Sequence, residues 1–337
     1  MITLKDVARE ANVAVSTVSN VLNGLDIVAP ETQKRVLAAV SKLGYVPNLN
    51  GRNLKAKATR KIGLFVTSMR GDFYGQLTDA IYTTCQHYGY EFHIVLTLHY
   101  NPGAVCRTIF GKQFDGVFVL NDELDDDVVE LFNRTRLPVV FLDRRIKSEK
   151  VSSVIFDSYN GGDMATRYLV GLGAKKIGYM HGYKSNFDNN ERFQAYCNVL
   201  EEFSLTRNPD YELEGFFEED AAYMSVKNFL RKRLPLPDAF FIANDYMAIG
   251  CMRCLMDNNI RVPEDVSVIG YDNIELSKYF SPALTTINSP AHDLGRKSAE
   301  VLLKMIACEA EGDIYTIRSD LVVRASCLPK SSLQREK

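Results

Sequence analysis

The sequence has no long apolar run and none of the short motifs that mark common enzymes. No stretch of 18 consecutive apolar residues occurs in the 337 residues, so a membrane-spanning helix is not expected. The N-terminus has the pattern of a helix and not that of a signal peptide. The nucleophile elbow GxSxG, the phosphate loop GxxxxGKS/T and a GxGxxG turn after a strand are all missing. We therefore expect a cytoplasmic protein that is not an enzyme and does not bind membranes.

Cysteine and histidine are too few and too scattered to predict a metal site or a disulfide framework. The seven cysteines are odd in number, and the chain is long enough to bury a core without bridges. Cys251 and Cys254 form a single CxxC inside a helical run, and we expect them to pack in the interior, because no partner ligands stand at a suitable spacing. The five histidines show no metal-ligand spacing, and His181 is expected to pack at a strand end. No metal or other cofactor is predicted.

Charge is unevenly distributed along the chain. The formal charge is −2 overall, but residues 1–61 contain ten Lys and Arg against four Asp and Glu. That segment carries +6, and the remaining residues therefore carry −8. A basic N-terminal part on an acidic body indicates that the first part contacts a polyanion and the second does not.

Residues 3–23 predict two short helices joined by a tight turn at Asn12 and Val13. Thr3 followed by Asp6 resembles a capping box at the start of the first helix, with Asp in place of the usual Glu. Two helices joined this closely can share a core only by crossing steeply, which is the helix-turn-helix arrangement. The apolar stripe of the first helix consists of Leu4, Val7, Ala8 and Ala11.

The second helix has one apolar face and one face of short polar side chains. Ser16, Thr17 and Asn20 lie on the polar face, where they can reach base edges in a DNA major groove. An amphipathic helix pair with a merely solvated polar face is the alternative interpretation. The residues predicted to be buried are Val18, Val21 and Leu22.

A third helix and a polar, basic segment follow. Pro30 at the first helical position and Gly44 just past the end are typical of helix termini, and Val36, Val40 and Leu43 make the buried stripe. Three helices in about 45 residues form a core that is marginally stable alone. Residues 44–61 show no apolar periodicity and, taken by themselves, read as a solvated linker.

From Ile62 onward, short β-branched and aromatic runs alternate with helical patterns. Strands separated by helices predict parallel sheets with right-handed crossovers. Two such series predict two doubly wound lobes with a cleft at the carboxyl ends of their strands. The expected division is a helix-turn-helix head at 1–46, a hinge at 47–61 and a core at 62–337, with lobe one at about 62–158 and 290–318 and lobe two at about 159–289 and 319–330. The predicted strands are 62–67, 91–97, 116–120, 138–142, 177–180, 213–217, 239–243, 266–270 and a terminal pair near 315–325. The predicted helices of the core are 74–87, 104–111, 126–133, 159–172, 190–203, 221–232, 246–258 and 291–308.

Several segments together resemble the lactose-repressor (LacI/GalR) family of bacterial transcription regulators over essentially the whole chain. TLKDVAREANVAVSTVSNVLNG resembles its DNA-binding signature and GYVPNLNGRNLK its hinge. DGVFVL, YLVGLGAKKIGYMHG, AFFIANDYMAIG and VSVIGYDNIELSKYFSPALTTI resemble parts of its effector-binding core.

Three positions depart from the family pattern. Ala14 and Ala29 replace the usual Ser ahead of the second and third helices, at a cost of about 1 kcal/mol per lost N-cap. Gly51 replaces the hinge Ala, at a further cost of about 1 kcal/mol.

The resemblance implies which residues contact DNA. Ser16, Thr17 and Asn20 would face the major groove, and Val15 could touch a thymine methyl. The hinge, about residues 47–55, would form a short helix in the minor groove, with Leu54 as the wedge that unstacks a base step. An ordinary linker leucine is the alternative for Leu54.

The resemblance also implies a set of effector-binding residues in the cleft. An arginine and a carboxylate that converge on one ligand suit the vicinal hydroxyls of a sugar. The aromatic members could instead be core residues, and Arg192 and Asp272 could form a structural salt bridge. The implied residues are Phe73, Tyr74, Asp143, Phe156, Arg192, Phe217, Asn244 and Asp272.

The function that these expectations describe is a DNA-binding repressor whose operator affinity is controlled by a small molecule, most readily a sugar or sugar derivative. The alternative is a two-lobed solute-binding protein without a regulatory role, which predicts a signal peptide and no basic head. The tail after Val323 has no leucine heptad, so a homodimer is expected and not a coiled-coil tetramer. The sequence leaves open the effector's identity, whether it releases or promotes DNA binding, and the operator.

Overall fold

The computed structural model describes residues 2–22, 27–45, 58–97, 102–111, 113–121, 124, 130–132, 134 and 136–330. They belong to two compact units, Met1–Thr59 and Arg60–Lys337. None of the described helices is long and apolar enough to cross a membrane. Helix 126–133 of the sequence prediction lies mostly outside the described residues.

The first unit is a bundle of three helices. Val7, Val18 and Val36, one from each helix, are fully buried and form its centre. The Asp6 carboxylate accepts hydrogen bonds from the backbone N–H (2.9 Å) and the hydroxyl (2.6 Å) of Thr3, which fixes the start of the first helix. The helices are α1 (Leu4–Glu10), α2 (Val15–Leu22) and α3 (Pro30–Leu43).

Glycine and alanine define the ends of these helices. Gly44 follows α3 with φ +59°, the left-handed conformation that ends many helices. Ala29 precedes α3 and offers no side-chain cap. Ala14 accepts the first bond of α2 through its carbonyl, from Val18 N–H at 3.2 Å. Both alanines therefore stand where a hydroxyl would have satisfied a free N–H.

Lobe one of the second unit is a parallel six-stranded sheet with the order β11-β5-β4-β3-β1-β2. Helices α4 (Asp72–His87) and α11 (Ala291–Ile306) pack against each other on one face, where Leu77 and Leu302 are fully buried. Helix α5 (Pro102–Phe110) contributes Ile109 to a separate apolar cluster of the same lobe. The strands are β1 (Lys61–Val66), β2 (Glu91–Leu96), β3 (Gly116–Leu120), β4 (Val139–Phe141), β5 (Val151–Phe156) and β11 (Ile314–Ile317).

Lobe two is a second six-stranded sheet with the order β12-β10-β9-β8-β6-β7, parallel except for its β10–β12 pair. Buried aromatic residues fill its interior, among them Tyr179, Tyr196 and Phe241. The strands are β6 (Ile177–His181), β7 (Glu212–Glu214), β8 (Ala239–Ile242), β9 (Ser267–Asp272), β10 (Thr285–Asn288) and β12 (Asp320–Val322). The helices are α6 (Ser158–Gly171), α7 (Phe187–Glu202), α8 (Glu219–Arg231), α9 (Asp245–Asp257) and α10 (Leu276–Tyr279).

The predicted fold class, a helical head on a core of two doubly wound lobes, is confirmed. Two strands were missed. β5 contains Ser152 and Ser153, which are fully buried and hydrogen-bonded to Asp313 N–H (3.0 Å) and the Ile146 carbonyl (2.6 Å). β10 begins with two buried threonines. The hydroxyls of Ser152, Thr285 and Thr286 have partners far along the chain, at Asp313, Arg324 and Asp245. The local pattern of these strands therefore gave no sign that polar residues could be buried there.

Cys251 and Cys254 are buried free thiols in α9. Burial raises the pKa of the Cys254 thiol above its ordinary value. His181 ends β6 and packs against the rings of Tyr179 and Phe193. No three His, Cys, Asp or Glu side chains converge as metal ligands in the part of the chain that the structure describes.

Candidate functional site

Helix α2 presents the residues that the sequence predicts to face DNA. Val15 is 41% exposed, Ser16 is exposed, and Thr17 and Asn20 are half-buried. Val18, on the opposite face, is fully buried in the bundle and holds the helix in place. The exposed side therefore offers a hydroxyl, an amide and a methyl surface, the groups that read base edges. The hinge, with Leu54 and Gly51, lies outside the described residues.

A cavity of about 280 Å³ lies between the two lobes of the second unit, at the carboxyl ends of the parallel strands. This is where ligands bind in open α/β folds. Seven of the eight predicted effector residues line it. They are Phe73, Tyr74, Phe156, Arg192, Phe217, Asn244 and Asp272.

Aromatic rings cover two walls of the cavity. On the lobe-one wall, Phe73 packs edge-to-face against Tyr74 and Phe156, with ring centroids 5.2 and 6.2 Å apart. On the other wall, Phe217 lies 6.1 Å from the ring of Tyr183. A Cβ at position 182 would stand 2.1 Å from the Phe217 ring, so this aromatic wall requires glycine there.

Arg192 brings a buried positive charge to the cavity. It is 4% exposed, and its Nη1 donates to the Ala243 carbonyl at 2.6 Å. Its guanidinium lies over the Tyr271 ring, 3.6 Å from the centroid, a cation–π contact. Its Nε has no hydrogen-bond partner among the described residues. Burial acts to lower the pKa of Arg192, but Tyr271, Asp272 and Asp188 outweigh it and raise the pKa above its ordinary value.

Asp272 is the last residue of β9, with φ +105°, and accepts one hydrogen bond from the Ser289 hydroxyl at 3.1 Å. Burial raises the pKa of its carboxyl to about 6, although Arg192 acts in the opposite direction. Arg192 and Asp272 influence each other through charge without a hydrogen bond between them. The two groups do not form a closed structural ion pair in the described residues, and both remain able to bind a ligand.

Asn244 serves the cavity wall mainly by holding it together. Its Oδ1 accepts from Met247 N–H at 2.9 Å and caps α9, while its Nδ2 donates weakly to the Phe217 carbonyl at 3.4 Å. The Phe217 N–H in turn points at the Met247 sulfur, 3.2 Å away. The amide therefore links the start of α9 to the aromatic wall.

Asp143 is the one predicted effector residue that does not line the cavity. It is 2% exposed. Its Oδ2 accepts from Asn121 N–H at 2.6 Å, and its Oδ1 accepts from Arg144 Nε at 3.2 Å. Burial raises the pKa of this carboxyl despite Arg144. Asp143 ties the loops after β3 and β4 together, because the turn after β4 directs it toward the β3 end.

Several wall residues that the fold brings to the cavity were not predicted from the sequence. Asp188 lies one turn before Arg192 on α7, and Tyr246 lies in the first turn of α9. Two contacts join the lobes beside the cavity, Arg70 to Glu218 at 3.8 Å and the Tyr246 hydroxyl to Asp72 at 3.5 Å. The signal that could have found them is position, since first-turn residues of a helix that follows a parallel strand face the cleft.

Comparison with known proteins supports the same architecture. The family described as "Bacterial regulatory proteins, lacI family" matches residues 3–48, and a "Periplasmic binding protein-like domain" matches residues 166–327. The HTH-type transcriptional repressor PurR of Vibrio campbellii is 37% identical over 330 residues, which is 96% of this chain and 98% of the relative. PurR of Pasteurella multocida is 34% identical over 331 residues, 97% and 98% of the two chains.

Solved structures of two transcriptional regulators share this architecture. The lac repressor dimer bound to operator and the anti-inducer ONPF superposes with a TM-score of 0.76 at 28% identity, covering 97% of this chain and 99% of the other. The transcriptional regulator CelR in complex with cellobiose has a TM-score of 0.74 at 29% identity, covering 97% and 100%.

A helix-turn-helix head followed by a two-lobed core with a cleft defines a ligand-regulated DNA-binding protein and not an enzyme. The chain belongs to the lacI family of bacterial regulatory proteins, and it is a DNA-binding transcriptional repressor of that family.

Proposed function

We propose that this repressor binds a sugar or sugar derivative in its cleft and that the occupied and empty cleft differ in operator affinity. The observation that carries the proposal is Arg192, a guanidinium buried to 4% exposure whose Nε has no partner among the described residues. A buried N–H group that is left without a hydrogen-bond acceptor costs folding free energy. A ligand oxygen at this position would satisfy it, beside the carboxylate of Asp272. That CelR was solved with cellobiose supports a sugar.

A flat heterocyclic ring, such as a nucleoside, is the second candidate. It is favoured by the aromatic side chains on both walls, since a planar ring gains from stacking on two faces. The residues concerned are Phe73, Tyr74, Phe156, Tyr183, Phe217 and Tyr246.

DNA recognition belongs to the head in this proposal. Val15, Ser16, Thr17 and Asn20 would enter the major groove of each half-site, and Leu54 would wedge open the central minor groove. The chain would act as a homodimer on a pseudo-palindromic operator in the cytoplasm. The lac repressor, solved as a dimer bound to operator, supports this assembly. The division at 1–46, 47–61 and 62–337 assigns these roles to head, hinge and core. Movement of the lobes about the ligand would change the spacing of the two heads.

The test is a thermal-unfolding screen of the full chain against sugars, sugar phosphates and nucleosides, followed by operator binding with and without each hit. A ligand present at 100 times its Kd stabilises the protein by about 2.7 kcal/mol. The proposal holds if a hit also changes operator affinity. It fails if hits that saturate the cleft leave operator affinity unchanged.

A further inference from the structure

Asp188 shares one face of α7 with Arg192. The two residues are four positions apart, the spacing that places side chains one above the other on a helix. Both line the cavity. The Asp188 carboxylate also influences Asp272 through charge. Arg192 therefore stands among two carboxylates, one from its own helix and one from the end of β9.

The Asp188 carboxylate is held in place by a hydroxyl group and forms no hydrogen-bonded ion pair among the described residues. The Ser158 hydroxyl donates to its Oδ1 at 2.7 Å. Burial raises the pKa of Asp188, and Arg192 opposes that rise through charge without a hydrogen bond. Keeping a partly buried carboxylate beside a second one costs folding free energy. A cost of this kind is typical of residues retained for ligand binding.

The position of Asp188 also changes what the helix can bind. The first turn of a helix carries free N–H groups and a partial positive charge, which attract anions. In α7, Asn186 caps this turn by accepting from Asn189 N–H at 2.9 Å, and Asp188 places a negative charge in it. An anionic ligand group approaching the turn would meet a carboxylate already there.

The net charge of the cavity wall also disfavours an anionic ligand. They are three carboxylates and two guanidinium groups, so the wall is negative by one formal charge. Arg70 pairs with Glu218 at 3.8 Å. Arg192 then remains with Asp188 and Asp272 for any ligand.

We propose that Asp188 determines effector specificity by accepting a hydrogen bond from an amino or hydroxyl group and by excluding effectors that carry phosphate or carboxylate. The proposal rests on the proposed function, because it concerns the same cleft. A carboxylate can only accept, so the matching group on the effector must be a donor. The structure thus selects neutral or amino-bearing ligands over acidic ones.

The experiment compares the wild-type full chain with Asp188→Asn, which keeps the size of the side chain and an oxygen for Ser158. Asp220→Asn is the matched control, because Asp220 is exposed on α8 and lies outside the cavity wall. The probes are glucose, glucosamine, glucose 6-phosphate, adenosine, adenosine monophosphate and inorganic phosphate, each against chloride of equal ionic strength. Unfolding temperature and titration calorimetry are the readouts.

We expect wild type and Asp220→Asn to rank the neutral or amino-bearing member of a series above its phosphate and to gain nothing from inorganic phosphate. Asp188→Asn should lose about tenfold in affinity for the preferred member and should be stabilised more by phosphate than wild type is. If Asp188→Asn does not fold, Asp188→Ser replaces it.

The proposal is overturned if the wild type binds a phosphorylated probe more tightly than its parent, or is stabilised by inorganic phosphate through Arg192, as shown by loss of the effect in Arg192→Lys. It is also overturned if Asp188→Asn and wild type respond identically to all probes. Operator binding is measured separately. A cleft ligand that leaves operator affinity unchanged would count against the proposed function while the dependence on Asp188 stands.

Discussion

The two lobes contribute different chemistry to one cavity. The wall from lobe one is mainly aromatic and apolar, with Phe73, Tyr74 and Phe156, and Arg70 is its one charged residue among those described. The wall from lobe two carries Asp188, Arg192, Glu218 and Asp272. In the proposed function, lobe two would select a ligand by its polar groups, and the rings of lobe one would cover one face of it. A ligand that uses both walls draws the lobes together, which links recognition to closure.

The largest effect should come from the charged wall. Arg192→Ala removes the guanidinium and leaves Asp272 and Asp188 uncompensated, so effector affinity should fall by about 2–5 kcal/mol. Operator affinity without ligand should be unchanged, because Arg192 lies outside the head. Calorimetry and DNA gel shifts measure the two affinities. Loss of operator affinity and unfolding temperature together would instead show that Arg192 is a structural residue.

The same wall should make effector binding sensitive to pH. Without ligand, burial raises the pKa of Asp272 to about 6; Arg192 acts to lower it and Asp188 to raise it. Asp272 in turn raises the pKa of the buried Asp245. A ligand that donates to the ionised carboxylate binds best above pH 6, and its affinity should fall by up to about tenfold per pH unit below it.

The stability of the ligand-free protein should change with pH in the opposite direction to effector affinity. A carboxyl whose pKa is raised by folding binds its proton more tightly in the native state, so its contribution improves as pH falls from above 6 toward its unfolded value of about 4. Asp272→Asn should remove the contribution of this carboxyl to the pH dependence of effector affinity and to the pH dependence of stability. An effector affinity that is constant between pH 7 and 5 in the wild type would show that Asp272 does not bind the effector in ionised form.

The aromatic wall should give a smaller loss. Phe73→Ala removes a ring that packs on Tyr74 and Phe156, and a lost aromatic contact costs roughly 0.5–1.5 kcal/mol. Phe73→Leu keeps apolar surface and is the control. Calorimetry should show a larger loss for a planar nucleoside than for a sugar if lobe one stacks on the ring. Equal affinities for wild type and Phe73→Ala would exclude ligand contact with this wall.

The smallest effect concerns one of the two contacts that join the walls, the ion pair between Arg70 and Glu218. The Arg70–Glu218 pair spans 3.8 Å, with side chains 90% and 58% exposed, and exposed ion pairs contribute little. Arg70→Ala should therefore change effector affinity less than twofold, and the change should vanish at high salt. A tenfold effect would show that this pair, and not the ligand, holds the lobes together.

Most strand ends were predictable from the sequence pattern, whereas the predicted cavity residues came from the resemblance to the lactose-repressor family. β-branched runs mark the buried parallel strands, and residues just after them face the cleft. Asp188 was missed for a local reason. The predicted helix began at residue 190, but Asn186 caps it and it begins at Phe187, which places Asp188 and Arg192 on one face. The first residue of a helix can depend on one capping side chain. The apolar periodicity of the helix does not indicate where that cap lies.

Asp143 shows a second limit. The family resemblance implied a cleft residue, but the carboxylate is bound by Asn121 N–H and by Arg144 and does not line the cavity. A backbone donor from a neighbouring strand cannot be read from the sequence around Asp143. The same limit hid β5 and β10, because the partners of Ser152, Thr285 and Thr286 lie far along the chain.

The order in which the strands occur along the chain constrains how this molecule is synthesised. Lobe one receives its last helix, α11, and its edge strand, β11, only after lobe two has contributed five of its six strands. Leu77 and Ile81 on α4 pack with Leu294 and Leu302 of α11. During synthesis about two hundred further residues must be translated before this contact can form. During that interval lobe one displays an uncovered apolar surface, which is the state that chaperones protect from aggregation. Neither lobe is finished until β11 and β12 emerge, so a nascent chain released before them has no complete lobe to bind a ligand.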